Sequence, residues 1–436
     1  YVYLASPKYF WPSSNTCKHN ADVCGLPSSG ISIVRLFSGG LTKSYSAASK
    51  GRMNMATQNL FDAAKQLGDK FSARSAEFEK ARCLPKDVSN AMAAAGFYRM
   101  YVPEEIGGLE TSPADSARVF ERLAQGDAAC GWVAFIAATS GSTLARIPVE
   151  AAKTIFTTPE TMIAGVFAPT GKAIQNDRGF RVSGSWQWGS GTQNADWVLG
   201  GCSILNAAGE LLNEKAPTSM CLMPANAIEF ADTWHVSGLQ GTGSTDYGVN
   251  DLQINAEHVV GFAKHTPPAG PLFQFPHFTL LALGIAAVAM GIARAAMDEL
   301  ITLAESKKRV GTNSALATRP HTHIEVARAE ATLRSARAFF YDAINIAWSE
   351  AIAGDKVTLA MRRDIRLATT HAVESSVKVV DAMYTLGAGS AVYHNSKLQQ
   401  HFRDVHMTTQ HIMVAPSTLE LTGRLYLGVE SNTATL

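Results

Sequence analysis

The sequence predicts an α+β protein in which a helical domain, a β domain and a helical bundle follow one another. Apolar residues recur at three- and four-residue spacing before about residue 164 and again after about residue 273, a pattern typical of amphipathic helices. Between these parts the pattern changes to short alternating runs separated by Gly, Asn and Asp, as expected for strands joined by turns. The chain has 436 residues, of which 46% are hydrophobic, so it can bury a large core. We place the domains at 53–163, 164–272 and 273–436.

The first 52 residues differ from the rest and are excluded from the fold prediction. They contain six Lys or Arg residues against the single acid Asp22, and no methionine. Met53 and Met55 are the first candidate starts. This stretch is either a basic transit peptide or upstream sequence translated ahead of the true start, and we favour the second because the chain begins with Tyr1. We expect a non-native or disordered extension.

The first helical domain is predicted from its spacing and its turn signals. Apolar spacing marks two early helices, through Leu60-Phe61-Ala64-Leu67 and Val88-Met92-Ala95. Gly96 ends the second of these helices. After a loop rich in glycine, Ser112-Pro113 begins a long helix that reaches Trp132 and Phe135, since proline is favoured in the first turn of a helix.

Strands and then long helices are predicted for the remainder of the chain. Phe180-Arg181-Val182-Ser183 and Trp197-Val198-Leu199 have the alternation of strands, in a domain that forms a barrel or a sandwich. The apolar run Leu280–Ala293 is too short to span a bilayer and predicts a buried core helix. Four helices are expected in the bundle, separated by glycines at 311, 354, 387 and 389, at about 275–306, 321–352, 357–386 and 402–427.

Charge and cysteine content restrict the class of partner. The 38 Lys and Arg residues nearly balance the 37 Asp and Glu residues, so no global field favours nucleic acid or an anionic membrane. Small molecules or other protein chains are the expected partners. The six cysteines show neither a CxxC motif nor the spacing of a zinc site, which is typical of reduced thiols in a cytoplasmic protein. No metal is expected.

Four segments, in this order, resemble the acyl-CoA dehydrogenase fold across about 61–428. Ala95-Gly96-Phe97 with Pro103 and Gly107-Gly108 resembles the "AGF…P…GG" segment of that family. Gly179-Phe180 with Ala195-Asp196-Trp197 resembles its first β hairpin. Trp234 with the run Gly238 to Ser244 resembles "W…GLRGTGS", and Leu398-Gln399 with Arg403-Asp404 resembles "LQR…RD". The resemblance implies a helical domain, a central β domain and a carboxy-terminal four-helix bundle.

The absence of a carboxylate after Arg403-Asp404 distinguishes between the reactions that members of this family catalyse. The resemblance implies that an acyl-CoA dehydrogenase has a Glu base shortly after the Arg-Asp segment, and that a nitroalkane oxidase has an Asp there. Here the segment after Arg403-Asp404 contains His411 and has no acid before Glu420. We therefore predict a flavin-dependent monooxygenase. An acyl-CoA dehydrogenase or oxidase with FAD, taking its base from another helix, is the alternative, followed by a flavin-free structural homologue.

The resemblance to these monooxygenases implies two catalytic candidates, Ser190 and His411. The run Trp186 to Gly191 resembles a "W…SG" strand end whose serine hydroxyl lies near flavin N5, and His411 falls where these enzymes place a histidine close to flavin and substrate. Either residue also has a structural interpretation, a simple turn for Ser190 and a solvated helix face for His411. His406 competes with His411 for the role.

An aromatic substrate pocket is the next expectation. Trp132, Phe135, Trp186 and Trp188 could line it, and Trp132, Phe135 and Trp188 are the candidates that we retain. Large aromatic side chains are more often core, which is the alternative for all four. Many phenol-hydroxylating relatives have a second histidine after the Gly-Trp pair, whereas this chain has Ala137 to Gly141 there. This difference weakens the assignment to hydroxylation of a phenol or a steroid ring and leaves indole-type or other heteroaromatic substrates open.

The resemblance implies reduced flavin, FAD or FMN, as cofactor and O2 as co-substrate. The implied reaction proceeds through a C4a-hydroperoxyflavin and hydroxylates or epoxidises an indole- or phenol-like substrate. The candidate flavin-binding residues are Ser190, Gly191 and Thr192, with Thr242, Gly243 and Ser244 as weaker candidates.

Two absences concern how the flavin is supplied. No GxGxxG motif accompanies the flavin-binding candidates, so a separate NAD(P)H:flavin reductase is expected as a partner. Arg309 to Asn313 lacks the family segment that grips the FAD adenine, so tight permanent FAD binding is not expected. A homotetramer is expected from the Ala- and Gly-rich bundle helices.

Overall fold

The computed structural model describes residues 55–308 and 314–436. The predicted extension at 1–52 and the predictions on Arg309 to Asn313 lie outside these residues. The described chain starts with six α-helices: α1 (Met55–Ser72), α2 (Ser75–Ala81), α3 (Lys86–Ala94), α4 (Pro113–Gly126), α5 (Ala128–Gly141) and α6 (Val149–Ile155). Ser112 caps α4, because its hydroxyl accepts a hydrogen bond from the backbone N–H of Asp115. Asp127 caps α5 in the same way through Cys130.

A mixed sheet of six strands forms the central domain. Its strands are β1 (Ile163–Asn176), β2 (Gly179–Gly189), β3 (Trp197–Leu205), β4 (Thr218–Pro224), β5 (Glu229–Phe230) and β6 (Thr245–Ile254). They lie in the order β4-β3-β1-β2-β6-β5, with β1 and β3 parallel and the other neighbours antiparallel. The pairing of β2 with β6 shifts register between Trp186 and Gly189. This bulge directs the chain out of the sheet just before Ser190.

Trp186 fills the core of the β domain. It is fully buried and stacks on Tyr247 at 5.4 Å between ring centroids. A Cβ at Gly171, Gly184 or Gly200 would lie within 2.8 Å of its ring. The three glycines thus make the space that the indole occupies, and Trp186 is a core residue and not part of a substrate pocket.

In the described part of the carboxy-terminal domain there are five α-helices: α7 (His277–Ser306), α8 (Pro320–Ile352), α9 (Leu359–Gly387), α10 (Lys397–Thr408) and α11 (Pro416–Tyr426). The α+β class and the acyl-CoA dehydrogenase-like order of domains are confirmed. The prediction of a single helix over 402–427 was wrong. Pro416 disfavours helical backbone at Ala415, where ψ is 159°, so a turn containing His411 separates α10 from α11.

The central helix of the bundle is α7, which packs against α4, α5 and α9. Both α7 and the segment Ala128–Arg146 are long and apolar enough to cross a membrane. Both are buried inside the protein, however: 94% of the most apolar 18 residues of α7 and 100% of those of Ala128–Arg146. Two glycines allow the close packing. A Cβ at Gly284 would lie 2.4 Å from the ring of Phe135, and one at Gly291 would lie 2.3 Å from the backbone oxygen of Glu121.

The contact at Gly291 predicts opposite effects for two substitutions of glycine by alanine. Gly291→Ala forces α7 away from the backbone of α4, so we expect a loss of about 1–3 kcal/mol in the free energy of unfolding. Gly423→Ala, in α11, meets no atom within 4 Å and gains helix propensity, so we expect stabilisation of up to about 1 kcal/mol. Thermal unfolding of both variants tests this, and equal melting temperatures would contradict it.

Candidate active site

A directed chain of hydrogen bonds connects the helical domain to the β domain. The indole N–H of Trp132 donates to Ser190 Oγ at 3.0 Å, Ser190 and Ser244 share a hydrogen bond of 2.6 Å, and Ser244 and Thr242 share another of 2.6 Å. Thr242 donates to the carbonyl oxygen of Leu239 at 2.8 Å. An indole only donates and a carbonyl only accepts, so each hydroxyl in between must donate onward from Trp132 toward Leu239. Ser190 therefore keeps a lone pair free to accept a further hydrogen bond.

The turn after β2 holds Ser190 in place. Gly191 adopts φ +72°, and its N–H donates to the carbonyl oxygen of Thr242 at 2.9 Å. A Cβ at Gly191 would lie 2.9 Å from Met162 and 3.1 Å from Val133. Both the positive φ and the crowding require glycine at this position.

The loop that carries Thr242 and Ser244 is fixed to α10 by Asp404. Asp404 Oδ1 accepts a hydrogen bond from the backbone N–H of Leu239 at 2.6 Å. A Cβ at Gly238 would lie 2.4 Å from the backbone oxygen of Arg403, so the loop lies directly on the helix. Arg403 completes the attachment through an ion pair with Glu79 at 2.8 Å and a hydrogen bond to the carbonyl oxygen of Ser237. The Arg-Asp segment thus positions the loop.

His411 lies beside Trp132, with their ring centroids 6.2 Å apart. Its Nδ1 accepts a hydrogen bond from the backbone N–H of Met413 at 3.2 Å. Burial, reinforced by the charge of Arg366, lowers the pKa of His411 to about 4, so the ring is neutral at physiological pH. A neutral ring that accepts at Nδ1 has its proton on Nε2. His411 therefore offers a hydrogen-bond donor to a ligand.

His406, the competing histidine, lies elsewhere on α10. Its Nε2 pairs with Asp381 at 2.9 Å, and its side chain is 41% exposed. This hydrogen bond joins α10 to α9, and neither Trp132 nor Ser190 takes part in it.

One face of α5 continues from Trp132 toward a second histidine. Trp132, Phe135, Thr139 and Ser142 are spaced by three, four and three residues, which places them on one side of the helix and its extension. Phe135 is fully buried and packs against Trp132 at 4.9 Å between ring centroids. Ser142 lies 3.2 Å from Nδ1 of His277, at the start of α7.

His277 has the opposite tautomer to His411. Ser142 donates its own proton to the carbonyl oxygen of Thr139, so it accepts the bond from Nδ1–H of His277. Burial lowers the pKa of His277 to about 3, and its buried Nε2 has no partner among the described residues. Thr139 Oγ1 and Ser140 Oγ are likewise buried without partners. This region can accept a hydrogen bond from a ligand N–H.

Trp132, Ser190 and His411 form the cluster that we take as the candidate active site. Some of the remaining predicted site residues lie near this cluster, and others lie at the surface. Thr192 is buried and donates to the carbonyl oxygen of Gly189 at 2.7 Å, and Gly243 follows Thr242 in the loop. Trp188, at φ +67°, is 69% exposed, and the structure does not bring it to Trp132. An open groove of about 650 Å³ lies apart from the cluster, between α3 and the turn before β3.

His277 and Arg366 were not predicted as site residues from the sequence. His277 follows Pro276 at a predicted helix start, where nothing marks it as unusual. Arg366 lies on the buried face of α9 with Ile365, Thr369 and Val373, and it is only 2% exposed. A cation at a position where the helical spacing requires an apolar residue is a signal that could have identified it.

The residues of the cluster fit a reduced flavin. The free lone pair of Ser190 can accept from an N–H, such as the one that reduced flavin carries at N5, and the Nε2–H of His411 can donate to an oxygen. The glycine at 191 keeps the turn beside Ser190 free of a side chain. Ser190, Gly191, Thr192 and the loop around Ser244 are the residues that would hold the cofactor.

Two acyl-CoA dehydrogenase family models match this chain. The model of the N-terminal domain matches residues 56–157, and the model of the C-terminal domain matches residues 283–416. A relative from Pseudomonas putida, named Indole-3-acetate monooxygenase, is 35% identical over 82% of this chain and 90% of its own length. The flavin-dependent monooxygenase oxygenase subunit HsaA of Mycobacterium tuberculosis is 25% identical over 81% of this chain and 91% of its own.

A solved structure has the same fold. XiaF from Streptomyces, in complex with FADH2 and glycerol, superposes with a TM-score of 0.79 at 22% identity, over 86% of this chain and 96% of that chain. The chain belongs to the acyl-CoA dehydrogenase family. Within this family it is a flavin-dependent monooxygenase, an oxidoreductase that uses reduced flavin from a separate reductase.

The buried carboxylate of Asp404 predicts a pH dependence of stability. Burial, together with the nearby charges of Asp127 and Glu79, raises the pKa of Asp404 from 3.8 to about 7. The folded protein thus binds this proton more tightly than the unfolded chain. The resulting stability is complete below about pH 4 and is lost as the pH rises to about 7, at roughly 1.4 kcal/mol for each pKa unit.

Asp404→Asn keeps the oxygen that accepts from Leu239 and cannot ionise. We expect its free energy of unfolding, relative to wild type, to rise as the pH increases from about 4 to 7. Urea unfolding of both proteins across this range measures the difference. A difference that does not change with pH would show that Asp404 does not titrate in this window.

Proposed function

We propose that this protein hydroxylates an indole-type aromatic substrate, with reduced flavin and O2 as co-substrates. This proposal rests on the cluster of Trp132, Ser190 and His411. In this cluster Trp132 contacts both the Ser190 hydroxyl, which can accept a hydrogen bond from a reduced flavin, and the neutral ring of His411. The name of the Pseudomonas putida relative, Indole-3-acetate monooxygenase, supports an indole acid as the substrate. A solved relative in complex with FMN and indole also supports the class, through its fold alone.

The bound cofactor would supply an electrophilic oxygen derived from O2. Ser190 would accept a hydrogen bond from the flavin and so fix the position of the flavin ring relative to Trp132. His411 would donate from Nε2 to an oxygen at the reacting centre, because its Nδ1 is already occupied by Met413. His277 would accept the N–H of an indole ring at its free Nε2. Trp132 and Phe135 would exclude water from the reacting side.

The dehydrogenase alternative requires a carboxylate base, and the described residues offer none in the cluster. Glu420, the first acid after His411, lies on α11 with its side chain 71% exposed, 3.8 Å from Arg424. Asp404 is buried, but it accepts from the backbone of Leu239. Neither carboxylate takes part in the hydrogen bonds or ring contacts of Trp132, Ser190 and His411. This arrangement supports oxygenation over removal of an α-proton.

We further propose a homotetramer in the cytoplasm. The support for the tetramer is the apolar surface of α8, where Ile324, Ile346 and Ile352 are exposed. The support for the cytoplasm is the free thiols of the four described cysteines at 83, 130, 202 and 221. Light scattering of the purified protein should give about four times the chain mass of 46.6 kDa. A mass of one or two chains would contradict the tetramer.

A pair of substitutions tests the role of His411. His411→Asn keeps an acceptor for the Met413 N–H but lacks a donor at the position of Nε2. We expect the yield of hydroxylated product per reduced flavin oxidised to fall about 10- to 100-fold, with hydrogen peroxide formed instead. Product and peroxide are measured after mixing the enzyme, chemically reduced flavin and indole-3-acetate with oxygenated buffer.

The matched control is His406→Asn on the same motif. This substitution removes only the pair with Asp381, so it should leave the yield close to wild type. A loss of product in His406→Asn, with normal yield in His411→Asn, would assign the role to His406. Because the pKa of His411 is about 4, the yield should also show no transition from this group between about pH 5.5 and 8.

A further inference from the structure

Arg366 is a buried cation without a counter-ion. It is 2% exposed, and burial lowers its pKa only to about 10, so it is charged at neutral pH. Its Nη2 donates to the carbonyl oxygen of Thr435 at 2.6 Å and to that of Phe278 at 3.5 Å. Among the described residues, no carboxylate lies within 4.0 Å of the guanidinium. Among the described residues, both hydrogen bonds of this guanidinium are made by Nη2.

The neighbouring charges on α9 do not compensate for Arg366. Arg362, one helical turn before it, is a further cation. Asp364 is the nearby acid on this helix, and it already forms an ion pair with Arg363 at 2.8 Å. The Nε of Arg362 is buried and also has no partner among the described residues. A buried charge is costly unless it is paired, so the site favours an anionic ligand.

Arg366 lies where the catalytic cluster and the start of α7 meet. On one side its charge acts on His411, whose ring lies against Trp132 on α5. On the other side it contacts the backbone of Phe278, next to His277, which is joined to Ser142 after α5. The start of α7, α9 and the turn that contains His411 therefore pack together in the part of the protein where Arg366 lies.

Unpartnered polar atoms and aromatic rings together line this region. Thr279 Oγ1, in the first turn of α7, is buried without a partner, as are Thr139 Oγ1 and His277 Nε2. Phe167 packs against His277 at 4.3 Å and against Phe278 at 6.4 Å between ring centroids. Aromatic walls, a neutral acceptor and one buried cation are the features that an aromatic acid with a ring N–H requires.

We propose that Arg366 binds the carboxylate of an aromatic-acid substrate and makes the enzyme select indole-3-acetate over neutral indoles. This inference rests on the proposed function and specifies its substrate. The guanidinium presents free N–H groups to a carboxylate, a geometry that allows a bidentate pair. A flavin phosphate is the other anion that could pair with Arg366. The aromatic surroundings, and the hydrogen bond of Arg366 to the backbone of Phe278 beside His277, favour the substrate.

Wild-type enzyme gives the first test, because it needs no variant to fold. We expect the kcat/KM for product formation from indole-3-acetate to exceed that from indole-3-acetamide by about 30-fold or more. The amide has the same shape and no charge. Equal values for acid, amide and indole would overturn the role of Arg366 while the monooxygenase function stands. Conversion of none of them by enzyme with reduced flavin would overturn the proposed substrate class as well.

Substitutions then assign the preference to the residue. Arg366→Met should lower kcat/KM for the acid about 30-fold or more and leave that for the amide within a few-fold, so the preference disappears. Arg366→Lys, which keeps the charge but not the fork of donors, should recover part of the preference. Arg363→Gln, on the same helix turn, should retain it. Equal losses for acid and amide in Arg366→Met would show a structural role and overturn the proposal.

Flavin binding separates the two possible anions. The dissociation constants of reduced FMN and of reduced riboflavin, which lacks the phosphate, are compared for wild type and Arg366→Met. We expect the same ratio of the two constants in both proteins. A selective loss of FMN affinity in the variant would assign Arg366 to the phosphate and overturn the proposal.

Discussion

The hydrogen bond from the Leu239 N–H to the buried carboxylate of Asp404 is the constraint on which the site depends. It holds the loop that carries Thr242 and Ser244 against α10. These two hydroxyls in turn orient Ser190, and Ser190 receives the indole N–H of Trp132. Three domains thus converge on one chain of hydrogen bonds, whose direction is set by an obligatory donor at one end and an obligatory acceptor at the other. Arg403 and Asp404 therefore position the site residues through this loop, although they are not members of the cluster themselves.

Two neutral histidines and one buried arginine accompany this series of hydrogen bonds, and no described carboxylate lies among them to act as a base. Burial keeps both His411 and His277 neutral, and their backbone and side-chain partners give them opposite tautomers. One ring donates at Nε2 and the other accepts. Arg366 adds a positive charge that no described carboxylate neutralises. This arrangement supports the proposed binding of a substrate that has an N–H and a negative charge. It does not suit a reaction in which a carboxylate removes a proton from the substrate.

The sequence predicted the order of domains, because helical and alternating spacing persist over long segments. It also predicted that Ser190, Thr242, Ser244 and His411 belong to one site, since the family segments carry them. It did not predict where the last long helix breaks, although Pro416 was a signal for it. Trp186 and Trp188 look alike in the sequence, but the register shift in β2 leaves Trp186 in the core and Trp188 at the surface. Burial of Arg366 depends on contacts with α7 and the chain near Thr435, which no local pattern contains.

As a flavin-dependent monooxygenase, this protein should insert one oxygen atom from O2 into its aromatic substrate. The most direct measurement is a single turnover of the enzyme with reduced flavin and indole-3-acetate under 18O2, followed by mass spectrometry of the product. We expect one 18O atom in the product, with the other atom of O2 released as water. A product that carries oxygen from solvent water, or consumption of O2 to give hydrogen peroxide alone, would contradict it.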